Sequence, residues 1–286
     1  MSKAIDLSVD LSGKVALVTG GGGILCSQMA KDLAASGAAV AVMSRTQAKV
    51  QAVADAITAA GGKAIAVSCD VLDRDALEAA RERIESELGP VDILVNGAGG
   101  NHPLGTATVN HCSSALLDDT PEGTRTFFDL DLEGVSFVFN VNVIGTLLPS
   151  QVFARSMAQR GEGCIINISS MSAFTALTRV GAYSAAKSAI NNFTGWLAVH
   201  LSKCGVRVNA IAPGFFLTEQ NRALLTTEDG GLSERGQTIM DSTPMGEFGS
   251  PEDLSGTLLW LASSSSRFVT GTVIPVDGGF NAFSGV

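Results

Sequence analysis

Short apolar runs alternate along this chain with longer stretches whose apolar positions recur every three or four residues, the pattern of strands alternating with helices. The first run, 14–19 (Lys-Val-Ala-Leu-Val-Thr), ends in four glycines, and residues 24–36 then carry apolar side chains at helical spacing. Further runs lie at 39–43, 63–68 and 91–95, with helical segments ending at Ala60 and spanning 73–88 between them. The second half repeats the theme, with runs at 164–168, 206–211 and 273–276 and helical segments at 182–204 and 251–262. Strands separated by helices pair in parallel, and right-handed crossovers wind them into a doubly wound α/β sheet whose site lies at the carboxyl ends of the strands.

Two stretches interrupt this alternation. Residues 100–130, after the fourth run, and 214–249, before the last helix, are long, polar and rich in turn-forming residues. Connections of that length within a compact domain are usually functional, so both are expected to line a substrate site. With 286 residues, 45% hydrophobic and 16% charged, the chain can bury a full core as one domain over 1–286.

Net charge narrows the partners. Nineteen Lys and Arg against 28 Asp and Glu leave −9, with no basic run, which argues against nucleic acid and against an anionic membrane surface. The N-terminal Met1-Ser-Lys-Ala-Ile-Asp lacks the apolar core of a signal peptide, and no stretch approaches 18 uninterrupted apolar residues, so a cytoplasmic location is expected. Cys26, Cys69, Cys112, Cys164 and Cys204 are scattered singly without a CxxC pair, which points to reduced thiols and to no structural metal site.

Candidate chemistry begins at Tyr183, the sole tyrosine, with Lys187 four residues later and Ser170 thirteen residues earlier. Residues i and i+4 share a helix face, so an ammonium comes within reach of a phenol. A fixed positive neighbour is expected to lower the phenol pKa from about 10 and make Tyr183 a proton shuttle. Thr19 and Gly20 to Gly23 stand between a strand and a helix, where glycine lets backbone approach a pyrophosphate and the helix N-terminus supplies N–H groups. At the end of the second strand stand Ser44 and Arg45, where a carboxylate would mark an NAD site. A guanidinium there favours the 2′-phosphate of NADP, although Ser44 leaves NAD open and Arg45 has an alternative reading as a solvated helix residue.

In the order and spacing of these motifs the chain resembles the classical short-chain dehydrogenase/reductase family over nearly its whole length, adding Asp70, Asn96-Gly-Ala-Gly99, Asn142 and Pro213-Gly214 with Thr218. The resemblance implies a single Rossmann-type domain and a catalytic set of Asn142, Ser170, Tyr183 and Lys187. Tyr183 would exchange a proton with the substrate oxygen, Ser170 would hold that oxygen, Lys187 would bind the nicotinamide ribose and tune Tyr183, and Asn142 would anchor a relay water. Implied cofactor contacts are Gly20, Gly22, Gly23 and Ile24 at the phosphates, Ser44 and Arg45 at the ribose, and Asp70 and Val71 at the adenine. Asn96, Ala98 and Gly99 would continue along the cofactor, with Pro213, Gly214, Phe216 and Thr218 near the carboxamide. Asp70 and Thr218 can also be read as helix caps, and Asn142 as a buried structural amide. The glycine turn departs from the family pattern, because Ile24 and Cys26 stand where the family has glycines.

Within the family, Gly99-Gly-Asn-His-Pro103, Pro213-Gly-Phe-Phe-Leu-Thr-Glu-Gln-Asn-Arg222, Asn167-Ile-Ser-Ser-Met171 and Pro275-Val-Asp-Gly-Gly-Phe280 are similar to the D-mannonate oxidoreductase branch. That similarity implies hydride transfer between a nicotinamide and a sugar acid, D-fructuronate or D-mannonate. A keto-gluconate or 3-oxoacyl thioester reductase remains an alternative, and a non-catalytic nucleotide sensor a more distant one. Asn101 and His102 are candidate substrate contacts, and Arg222, then Arg125, candidate carboxylate clamps. Apolar helix surface around 142–157 and after Tyr183, with the tail at 277–286, resembles the family's subunit contacts and implies a homotetramer; Pro149 is expected to kink the first of these helices.

Overall fold

The computed structural model describes residues 9–218, 222, 225–227 and 230–285. Seven parallel strands are ordered β3-β2-β1-β4-β5-β6-β7. They are β1 (Val15–Thr19), β2 (Ala39–Ser44), β3 (Lys63–Ser68), β4 (Ile93–Asn96), β5 (Gly163–Ile168), β6 (Val206–Pro213) and β7 (Val273–Val276). The helices are α1 (Ile24–Ala35), α2 (Gln47–Ala59), α3 (Arg74–Glu87), α4 (Ser114–Asp118), α5 (Leu132–Phe139), α6 (Gly145–Arg160), α7 (Gly181–Leu201), α8 (Glu234–Asp241) and α9 (Ser255–Ala262). The chain runs outward from β1 to β3 and then returns to place β4 on the other side of β1, which opens a crevice at the carboxyl ends of those two strands.

Strand periodicity explains why the apolar runs are continuous. In β1, Ala16 and Val18 join the core under α1, α2 and α9, while Val15 and Leu17 join the core under α3, α6 and α7. Successive residues point to opposite faces, so a strand covered on both sides is apolar throughout. Asp73 starts α3 by accepting a 3.0 Å hydrogen bond from the Ala76 amide.

Both interruptions carry local structure. In the first, the Thr108 amide donates to the Arg125 carbonyl at 2.8 Å, and the Arg125 amide donates back to the Thr108 hydroxyl at 2.7 Å. α5 starts on Asp131, whose carboxylate caps the amides of Glu133 and Gly134, ten residues before the helix expected around Asn142. Between α5 and α6 the backbone widens into a π-turn, Asn140–Ile144, where the Gly145 amide reaches back to the Asn140 carbonyl. Departure from α-helical geometry therefore lies at this turn, ahead of Pro149, which stays inside α6. By length and apolarity the run Leu132–Arg160 could cross a membrane, yet half of its apolar window is buried within the protein. The second interruption contains α8, capped by the Ser233 hydroxyl, and a bridge pairing Phe216 with Gly249.

Candidate active site

Two turns meet at the crevice. The Thr19 hydroxyl accepts from the amides of Gly97 (3.1 Å) and Ala98 (3.2 Å), locking the turn after β4 against the turn after β1. Gly20 has a φ of +66°, and a Cβ there would lie 2.6 Å from the Gly97 carbonyl oxygen, so this close approach requires glycine. Cys26, in a position where glycine was expected, lies beneath Gly97 with its thiol against the carbonyl oxygen at 3.8 Å. Burial pushes that thiol up to about 11, which makes Cys26 a packing residue rather than a nucleophile.

From this junction a cleft of about 190 Å³ opens along the β1–β2–β3 half of the sheet. Gly20, Gly22, Gly23, Ser44, Arg45, Asp70, Val71, Ala98 and Gly99 line it, joined by Lys49 and Phe137, which sequence reasoning did not single out. A Cβ on Gly22 would sit 2.9 Å from both the Ser44 hydroxyl and Lys49 Cβ, so side-chain-free backbone keeps this wall open. The buried Ser44 hydroxyl has no hydrogen-bond partner, a polar atom left for a ligand in the groove. A dinucleotide fits this donor set: glycine backbone for phosphates, and a hydroxyl with two cations, Arg45 and Lys49, at the ribose end. The Asp70 carboxylate accepts from the Leu72 amide at 3.0 Å while lining the cleft, so it braces its turn as well.

Two expected cofactor contacts are displaced. Asn96 is buried, and its amide donates at 2.9 Å to both the Ser150 hydroxyl and the Asn167 carbonyl oxygen. It belongs to a polar chain through the core, continued by Asn167 to Thr194, and does not line the cleft. Phe216 is also buried, its ring packed where a Gly249 side chain would stand, and it lines a neighbouring cavity with Phe215. Ile24 is half-buried at the start of α1, behind the glycines. Pro213 ends β6, and the amide of Gly214 just beyond it donates to the Val276 carbonyl, where a Cβ would strike Asp277 Cα at 2.6 Å. The half-buried Thr218 follows, its carbonyl accepting from the Arg222 amide at 2.9 Å.

α7 carries Tyr183 and Lys187 on one face, as their spacing predicts. Lys187 is buried, donates to the Ile168 carbonyl at 2.8 Å and stands 5.6 Å from the centre of the Tyr183 ring. Burial lowers its pKa to about 8, a shift the neighbouring Cys26 opposes. Desolvation raises the Tyr183 phenol above its ordinary value, and a hydrogen bond with Ser170 only partly offsets this. The expectation of a lowered phenol pKa is thereby corrected: the ammonium lies over the ring and bonds to backbone, and desolvation outweighs it. Ser170 begins a short turn, accepting from the Ser172 amide at 3.2 Å.

Asn142 sits fully buried in the π-turn. Its amide donates to the carbonyls of Gly100 (2.7 Å) and Val138 (2.8 Å), and its oxygen accepts from the Gly100 amide. A Cβ on Gly99 would lie 2.6 Å from that oxygen and 3.3 Å from the Lys187 nitrogen, so Gly99 brings Asn142, Lys187 and the cleft together.

Candidate substrate residues fare unevenly. Exposed Asn101 accepts from the His102 amide at 2.9 Å. His102 accepts at Nδ1 from the Leu104 amide and packs 5.1 Å from Phe137, which puts its ring at the cleft mouth as a loop cap. Arg125 donates from Nη1 to the carbonyls of Pro103 (2.7 Å) and Thr106 (3.1 Å) and braces the insert. Arg222 is exposed one turn past Thr218. Gln220 and Asn221 lie outside the described residues. Two arginines that were not foreseen, Arg179 and Arg235, instead line a second pocket. Arg179 has φ +71°, the one described non-glycine residue with positive φ. No signal in the sequence announces that backbone, which costs on the order of 1 kcal/mol or more. Among the described residues no His, Cys, Asp and Glu cluster could hold a metal.

Fold and site together define a dinucleotide-dependent enzyme, and comparison with known proteins identifies which. The short chain dehydrogenase family profile matches residues 14–229, and the chain belongs to that family of nicotinamide-dependent oxidoreductases. It is 54% identical over 283 residues to an uncharacterized oxidoreductase, UxuB, of Bacillus subtilis (strain 168), covering 99% of this chain and 100% of the relative. A crystal structure from Haemophilus influenza, provisionally named a D-mannonate oxidoreductase and holding NAD, superposes with a TM-score of 0.91 at 49% identity, covering 97% of this chain and 98% of that one. A gluconate 5-dehydrogenase from Burkholderia cenocepacia J2315, solved with NADP and tartrate, gives 0.80 at 30% identity, covering 96% and 98%.

Proposed function

We propose that this oxidoreductase interconverts a sugar acid and its keto form, with D-mannonate and D-fructuronate as the pair. The observation that carries the chemistry is the Tyr183 phenol, grouped with Ser170 and backed by buried Lys187, whose ammonium stands 5.6 Å from the ring centre. For reduction, the carbonyl oxygen accepts hydrogen bonds from Tyr183 and Ser170, which polarise it and fix its position. A nicotinamide bound in the cleft supplies the hydride for the carbonyl carbon. Tyr183 gives its proton to the oxygen as negative charge develops there, completing the alcohol. The Lys187 ammonium then stabilises the phenolate left behind, and Asn142, by holding Gly100, keeps Lys187 and the cleft in register. Oxidation reverses these roles.

The 49% identical relative bearing the mannonate name supports this substrate pair. Gluconate 5-oxidation is the second reading, favoured by the 30% identical relative. For the cofactor we favour NADP, supported by Arg45 and Lys49 flanking the unpartnered Ser44 hydroxyl, although the Haemophilus relative holds NAD. Exposed Trp196, Val199, Leu132 and Phe268 support a homotetramer built through helix faces, which light scattering would test. The acidic charge and unpaired thiols support a cytoplasmic location. Steady-state reduction of D-fructuronate with NADPH and NADH in parallel, against 5-keto-gluconate, tests the reaction. Faster turnover of 5-keto-gluconate would replace the mannonate reading with the gluconate one.

A further inference from the structure

A second pocket, also of about 190 Å³, lies among the segments that follow β4, β5, β6 and β7, on the carboxyl edge of the sheet where ligands of such folds bind. The first insert contributes Asn110, the approach to α7 contributes Arg179, and α8 contributes Arg235. Phe215 and Phe280 meet edge to face at 5.3 Å and form an apolar wall beside these polar groups. Arg179 stands four residues before Tyr183, and its neighbour across the pocket, Phe215, follows Gly214 directly. The pocket is therefore built partly from the segment that leads directly into α7, which carries the reacting hydroxyl.

Arg179 is held by hydrogen bonds, and neither guanidinium meets a counter-charge among the described residues. Arg179 donates from Nε to the Asn110 side-chain oxygen Oδ1 at 2.7 Å, and its own carbonyl accepts from the Ala107 amide at 2.9 Å, so both its side chain and its left-handed backbone are tied to the first insert. Nε is the side edge of the guanidinium, and among the described residues its terminal nitrogens make no further hydrogen bond, so they can meet a ligand. Arg235 is half-buried and makes no ion pair among the described residues. Burial and, secondarily, the charge of Arg179 hold its pKa below the ordinary arginine value. Glu234 also lines the pocket, but it is exposed and ion-pairs with neither arginine. The hydroxyls of Thr238 and Ser242 donate to backbone carbonyls of their own helix, to Glu234 and Thr238 respectively. What remains is a paired cationic surface beside an aromatic face, in a pocket large enough for a small polyhydroxy acid.

We infer that Arg179 and Arg235 form the subsite that binds the substrate's carboxylate, with Phe215 and Phe280 against its carbon chain. This rests on the sugar-acid reading above and assigns that specificity to residues other than the exposed Arg222. Like charges brought together in a half-buried pocket are stabilised by an anion, and a carboxylate accepts the parallel donors of a guanidinium. The site distinguishes the acid from the corresponding neutral polyol, which leaves both guanidiniums unpaired.

The test compares Arg235→Met, Arg235→Lys and Arg179→Asn, the last because asparagine tolerates left-handed backbone, with wild type under saturating cofactor. Losing a charge-assisted hydrogen bond is expected to raise KM for D-mannonate roughly ten- to a hundredfold with kcat less affected. Cofactor affinity should be unchanged, and Arg235→Lys should recover part of the loss. An unaltered KM in Arg235→Met and Arg179→Asn would overturn the carboxylate subsite while leaving the proposed reaction standing. Should wild type turn over no sugar acid, calorimetric titration of D-mannonate into the cofactor-loaded protein decides between the two. Binding lost in Arg235→Met would uphold the subsite and reject the reaction, whereas no binding to wild type would reject both.

Discussion

Lys187 and Tyr183 are joined through geometry rather than through a direct hydrogen bond: the ammonium stands 5.6 Å from the ring centre and donates to the Ile168 carbonyl at 2.8 Å. Burial disfavours the charged form of each, raising the phenol above its ordinary value and lowering the ammonium to about 8, so the phenolate left when Tyr183 gives up its proton gains from the nearby charge of Lys187.

Replacing Tyr183 by Phe should lower kcat by roughly 10²- to 10⁴-fold, the usual worth of general acid and base help. Cofactor dissociation constants, measured by nicotinamide fluorescence, should stay near wild type. Turnover close to normal would remove Tyr183 from the mechanism.

Lys187 should be a stability liability. Its pKa is about 8 in the folded protein and 10.5 in its unperturbed state, so folding disfavours the charged form. Between those values the unfolded chain binds more protons, and stability from this group rises as pH climbs from about 8 towards 10.5. Lys187→Met should therefore gain on the order of 1 kcal/mol at pH 7, after allowing for the lost bond to Ile168, while turnover collapses. Urea unfolding at pH 7 checks this, and a clear loss of stability would contradict it.

Arg45→Asp should turn cofactor preference towards NAD by placing a carboxylate where a 2′-phosphate would sit beside the buried Ser44 hydroxyl. Lys49→Ala should weaken NADPH selectively, by roughly fivefold or more, as expected for one exposed cation. The ratio of kcat/KM for the two cofactors reads both effects, and an unmoved ratio in Arg45→Asp would exclude this wall from phosphate recognition.

Gly99→Ala introduces a Cβ 2.6 Å from the Asn142 oxygen, and Asn142 has no room to retreat because it holds Gly100 and Val138. Overpacking of this kind costs about 1–3 kcal/mol, and the displaced Lys187 should lower kcat as well. Thermal unfolding and turnover should fall together; an unchanged melting temperature would show that the junction is looser than its geometry implies.

Much of the architecture was legible without coordinates because it is local. A strand covered on both faces must be continuously apolar, a helix must show its period, and Tyr183 and Lys187 share a face because they stand one turn apart on α7. The glycines after β1 likewise announced a cleft, and Ser44, Arg45, Asp70, Val71, Ala98 and Gly99 line it with them.

What tertiary structure alone decided depends on packing between distant segments. Asn96 and Phe216 turned into the core, and Arg125 turned to brace its own insert, because the orientation of a side chain at a strand end is set by what packs against it. Lys49 entered the cleft wall from α2, and Arg179 met Arg235 across 56 residues of chain. The pKa of Tyr183 moved opposite to the sequence expectation for the same reason. Spacing along a helix specifies which charges are neighbours, but the dielectric around them is created only when the whole chain closes over the site.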